Sequence, residues 1–137
     1  MYKFKSISKI AILTVSCFML AAPALAAKRT VDTYRTSAPV EKVFAEAVKA
    51  VTHEGFVIKL AEKSQGTIQG DRIAWDSGNP AYSVFMTVSK DGDGTTVEAR
   101  FTKSPGILGH SSRKWADKFG REMKEAFPDL TITAEKQ

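Results

Sequence analysis

Residues 81–102 read Ala-Tyr-Ser-Val-Phe-Met-Thr-Val-Ser-Lys-Asp-Gly-Asp-Gly-Thr-Thr-Val-Glu-Ala-Arg-Phe-Thr, and this stretch decides the fold class. Tyr82, Val84, Met86 and Val88 alternate with polar residues. Val97, Ala99 and Phe101 repeat the pattern after a break. Side chains on a strand point to opposite faces in turn, so each run makes one apolar face and one wet face. Between them lies Asp91-Gly92-Asp93-Gly94, whose Asp-Gly pairs suit the positive φ angles of a tight hairpin. Phe85 breaks the polar face and is a candidate surface contact.

Working upstream, Val40, Val43, Phe44, Ala47, Val48 and Val51 recur at helical spacing after Ser37-Ala38-Pro39. Proline suits a first helical turn, where its missing N–H is not needed, and Gly55 supplies a left-handed stop. Thr30 to Thr36, with Val31 and Tyr34, reads as a first strand. Phe56, Ile58 and Leu60 begin another and are expected to share a face. Ser64-Gln65-Gly66 turns the chain into an extended run from Thr67 to Trp75. The stretch Asp76-Ser77-Gly78-Asn79-Pro80 marks a loop, and Trp75 beside it is a second candidate surface contact.

Downstream, Ser104 to His110 forms a loop before a second helix striped by Trp115, Phe119, Met123, Ala126 and Phe127. Pro128 ends it, and Leu130 and Ile132 suit a short last strand. The resulting order is β-α-β-β-β-β-α, with that terminal strand as an addition. It predicts an α+β domain in which an antiparallel sheet of about five strands carries two helices on one face.

The first 26 residues belong to something else. Lys3, Lys5 and Lys9 precede an apolar run from Ile10 to Ala22, and Ala24-Leu25-Ala26 is a small-residue cleavage signature. That is the pattern of a secretory signal peptide. The run is about 13 residues, short of the ~20 needed to span a bilayer. The expectation is therefore a leader over residues 1–26, a single domain over 27–137, no span in the mature form, and a periplasmic or secreted location. Cys17 lacks the leucine-type residue three positions upstream that precedes a lipidated cysteine.

Cleavage changes the charge argument. The chain has 20 Lys plus Arg against 15 Asp plus Glu. Losing the three leader lysines leaves 17 against 15, a balance that calls for no nucleic acid partner. Cys17 is the only cysteine, so the mature domain holds together without disulfides. Its length suffices, because a chain of this size buries roughly 60–70% of its unfolded surface.

The helix and the following stretch Gly55-Phe56-Val57-Ile58, charged linker, Gly66-Thr67-Ile68 resemble small bacterial envelope domains of helix-grip type. One such is the repeated domain of the C-component lipoprotein of the outer-membrane β-barrel assembly machine. The resemblance implies an accessory or binding role and carries over no catalytic residue.

Chemistry-bearing patterns are sparse. His53 and His110 form no H-x-x-x-H pair, so no zinc site is expected. The Asp91–Gly94 turn does not open a complete calcium loop, since the twelfth position counted from Asp91 is Thr102. Gly109-His110-Ser111 is not a nucleophile elbow. No enzyme, metal or cofactor is predicted. The stretch Gly106 to Lys114 stands out: Ser111, Ser112, Arg113 and Lys114 put hydroxyls and cations at a helix N-terminus. Both cations oppose the helix dipole there, and an anion or acidic partner would relieve the conflict. A plain capped loop accounts for the same residues. Two functions remain: a non-enzymatic protein that binds an envelope partner or assists its assembly, and a carrier of a small apolar or amphipathic ligand held between sheet and helix.

Overall fold

The computed structural model describes residues 28–74 and 77–135. Six strands and two helices follow one another as β1 (Arg29–Thr36), α1 (Val40–His53), β2 (Val57–Glu62), β3 (Thr67–Ile73), β4 (Pro80–Asp91), β5 (Gly94–Lys103), α2 (Ser112–Ala126) and β6 (Thr131–Ala134). The class is α+β, and the terminal strand raises the sheet from five strands to six. Sheet order is β2-β3-β4-β5-β1-β6, with every neighbouring pair antiparallel. The hairpin β4–β5 closes with Asp91 opposite Gly94, and Gly92 at the first turn position has φ +60°. A positive φ there matches the right-handed twist of the flanking strands.

Both helices cover one face. Helix α1 starts behind Pro39 and ends in a Schellman motif: Gly55 N–H donates to Thr52 O at 3.0 Å and Phe56 N–H to Val51 O at 3.2 Å, with Gly55 at φ +90°. Val43, Phe44, Ala47, Ala50 and Val51 of α1 and Trp115, Ala116, Phe119 and Met123 of α2 are buried. They meet Tyr82, Val84, Met86, Val88, Val97, Ala99 and Phe101 of the hairpin, whose alternation places them all inward.

One strand departs from the sequence expectation. In β2 the pairing with β3 shifts between Ile58 and Leu60. Ile58 faces Gly70 on the core side, whereas Leu60 faces Gln69, which pairs onward with Phe85 on the outer face. Leu60 therefore does not share a face with Ile58: a bulge adds one residue to a strand and reverses all that follow. In β1, Val31 and Tyr34 point to opposite faces. Tyr34 is opposite Val97 in the core row and fully buried, while Val31 pairs with Arg100 on the outer face. Asp32 has Tyr34's parity and is carried inward with it, to 2% exposure.

Candidate functional site

The segment between β5 and α2 folds as a loop fastened at both ends. Ser104 N–H donates to Ala81 O and its hydroxyl to Pro80 O, both at 2.9 Å. Tyr82 donates its phenol proton to His110 O, and Lys103 Nζ to Gly109 O at 3.3 Å. Between these ties Ile107 is partly buried, while Leu108 stands at 95% exposure. Beneath the loop is a cleft of about 480 Å³. Ala74, Ala81, Tyr82, Ile107 and Trp115 supply apolar wall, and Arg72 of β3 stands at its side.

Trp115 forms the inner end of that cleft. Its ring meets Tyr82 edge-on at 5.5 Å and Phe56 at 6.1 Å, which fixes it as core. Three cations gather over it: the Arg72 guanidinium at 4.3 Å, Lys118 Nζ at 5.1 Å and Lys114 Nζ at 5.5 Å from the centroid. The negative face of an indole attracts each by roughly 0.5–1 kcal/mol when exposed. None of the three makes an ion pair among the described residues. The indole Nε1 is buried without a hydrogen-bond partner.

A second hollow of about 440 Å³ shares Arg72 and Trp115 and extends to Glu54, Lys118, Arg121 and Glu122. Both Glu54 carboxyl oxygens are covered and lack a partner. Burial, reinforced by the nearby Glu122 carboxylate, pushes the Glu54 carboxyl up to about 8. At neutral pH it therefore does little to offset the cations. Glu122 itself is engaged by His53 Nδ1.

Two of the four residues expected to hold an anion, Ser112 and Arg113, have partners within the chain. Arg113 does not face outward to an anion: its two terminal nitrogens donate to the two Asp32 carboxylate oxygens, each at 2.7 Å, and one of them also reaches Asp117 at 3.2 Å. Hydrogen bonds to Asp32 above all raise the Arg113 pKa further above its ordinary value, and burial beside Asp32 pushes the Tyr34 phenol up as well. Ser112 is buried with its hydroxyl 2.7 Å from Thr30 Oγ1. Ser111 is the N-cap, exposed and making no side-chain cap hydrogen bond. The charge conflict at the helix start is thus relieved from within, by Asp32. Of the four, Lys114 is the one that joins Arg72 and Lys118 over the Trp115 ring, outside the lining of the cleft itself.

Phe85 lies on the outer face as its parity predicts, at 39% exposure, between Gln69 and Arg100. A single exposed aromatic among polar neighbours is ordinary surface. Trp75 lies outside the described residues, as does the leader with its cleavage signature. Among the described residues no three His, Cys, Asp or Glu side chains are placed to hold a metal ion, and no helix is long and apolar enough to cross a membrane.

Sequence reasoning missed Arg72, Lys118 and Asp32. A signal existed for Arg72, which has the parity of Ile68 and so belongs to the covered face. Comparison with protein-family models and with curated protein sequences returns no match.

Proposed function

We propose that this chain is an exported, non-enzymatic protein of the cell envelope that binds a macromolecular partner through the cleft beside Trp115. The observation that carries the reading is the Leu108 side chain, 95% exposed at the lip of a mostly apolar cleft. Leaving such a residue in water stabilises nothing, whereas burying it against a partner contributes roughly 1.5–3 kcal/mol. Export rests on the leader pattern of residues 1–26, and the envelope location on that pattern together with the resemblance to helix-grip envelope domains.

The carrier reading needs room between sheet and helices. Met86, Phe101 and Phe119 occupy that space at 1% exposure or less. A close-packed interior holds few voids larger than a water molecule, so the filled core supports partner binding over ligand storage.

Native mass spectrometry of the protein isolated from its own cell envelope tests the reading. The account expects a chain beginning at Ala27 and a bound polypeptide. A bound small molecule with no polypeptide would favour the carrier, and a lipid-modified chain beginning at Cys17 would overturn release from the membrane.

A further inference from the structure

Resting on that reading, we infer that the partner segment is an extended acidic peptide, whose carboxylates meet Arg72, Lys114 and Lys118 while an adjacent apolar side chain enters the cleft under Leu108.

Charge complementarity carries the argument. Three cations lie within 5.5 Å of one indole centroid with no ion pair among the described residues. Like charges gathered around one ring repel, and the ring quadrupole offsets part of the cost. Elsewhere on the same helix the chain solves such a conflict by itself, giving Arg113 both Asp32 and Asp117. Around Trp115 no carboxylate among the described residues pairs with Arg72, Lys114 or Lys118, and the acids of the neighbouring hollow are Glu54, Glu122 and Glu125. Glu54 has both oxygens covered, and burial holds it largely in its neutral form at pH 7. Among the described residues Arg72, Lys114, Lys118 and Arg121 stand against the carboxylates of Glu122 and Glu125, so the local balance is positive, and an anionic partner is attracted at long range and held on arrival.

The cleft adds shape and the main chain adds direction. Apolar wall from Ala74, Ala81 and Ile107 suits an aliphatic side chain, and about 480 Å³ is room for a few residues. The N–H groups of Leu108 and Gly109 engage no acceptor among the described residues. Those donors suit the carbonyls of an extended peptide.

The test uses the mature chain and fluorescein-labelled peptides, read by anisotropy. The acidic probe is Gly-Asp-Leu-Glu-Val-Asp-Gly. Its controls are Gly-Lys-Leu-Lys-Val-Lys-Gly and Gly-Asp-Ser-Glu-Ser-Asp-Gly. Phosphatidylglycerol vesicles and oleate are tested alongside as competitors. The expected result is that the acidic probe binds at least about tenfold more tightly than either control. Binding should weaken at least about fivefold as salt rises from about 50 mM to about 500 mM, because screening shortens the reach of surface charge. Lys114→Gln/Lys118→Gln and Leu108→Ser should each cost about tenfold with the thermal midpoint unchanged within a few degrees.

Equal binding of the acidic and basic probes, or salt-insensitive binding, would overturn the acidic assignment. Displacement of the probe by vesicles or oleate at concentrations below the peptide's own Kd would overturn it in favour of a lipid. Partner reading and peptide assignment fail separately. A natural polypeptide that docks at Leu108 through a basic or uncharged segment refutes the assignment alone, and a chain that binds no polypeptide refutes both.

Discussion

Replacing Arg113 with methionine removes the two hydrogen bonds that serve the Asp32 carboxylate and leaves that group 2% exposed. Its remaining contact is the Tyr34 phenol, which donates across 3.4 Å. Breaking a fully buried ion pair costs about 3–5 kcal/mol, chiefly because the survivor is an uncompensated charge. Arg113 is 39% exposed, so water reaches part of the vacated space and the expected loss falls to about 2–4 kcal/mol. The reverse change, Asp32→Asn, costs less, about 1–2 kcal/mol, because Arg113 keeps Asp117 at 3.2 Å and solvent. The paired change Asp32→Leu/Arg113→Met removes both charges and should lose less than the sum of the single changes, with a coupling of about 1–3 kcal/mol. Urea unfolding of the four proteins measures this, provided that the slopes agree. Arg113→Glu sets a second carboxylate against Asp32 and should be the worst of the series. The bare helix-dipole argument from sequence expects the opposite, a slight gain in stability. A stable Arg113→Glu protein, or an Arg113→Met loss no larger than that of Asp32→Asn, would refute the account of this pair.

Trp115→Ala should destabilise the fold by about 3–5 kcal/mol in urea, the usual cost of deleting a large buried aromatic; an unchanged midpoint would place the ring outside the core. Leu108→Ser should move stability by no more than about 0.5 kcal/mol, since the side chain touches water, and a large loss would show that it packs. Glu54 has a folded-state pKa raised from 4.5 to about 8, so its contribution is complete below about pH 4.5 and is lost as pH rises through about 8. Stability measured from pH 5 to pH 9 should therefore fall in the wild type by about 1–2 kcal/mol, after discounting for partial exposure. Glu54→Gln should flatten that slope, and an unchanged slope would assign the fall to another group.

The hairpin was legible because both of its strands are long and one face of each is covered, so alternation is uninterrupted from Tyr82 to Val88 and from Val97 to Phe101. Helix α1 was legible for the same reason at another period, with Pro39 and Gly55 marking its ends. The face that Leu60 takes was not legible, because a bulge leaves no mark in composition; Lys59 reads as any solvent residue of an edge strand. The candidate site was legible only locally. The first part of the segment, Gly106 to His110, lines the cleft, but Arg113 turns inward to Asp32, 81 residues away in sequence. Pattern within one helix shows the dipole conflict and not the strand that resolves it. Likewise Arg72, Lys114 and Lys118 lie on β3 and α2, and only the packing of α2 over the sheet brings them to one ring.

The central claim is that a partner docks on the cleft beside Trp115. Its most direct test places a photo-reactive amino acid at position 108, and in separate cells at position 85, of the full-length chain and irradiates living cells. The account predicts a polypeptide adduct from position 108, lost when Lys114→Gln/Lys118→Gln is added, and none from position 85. An adduct from position 85 alone, or none from either position, would contradict it.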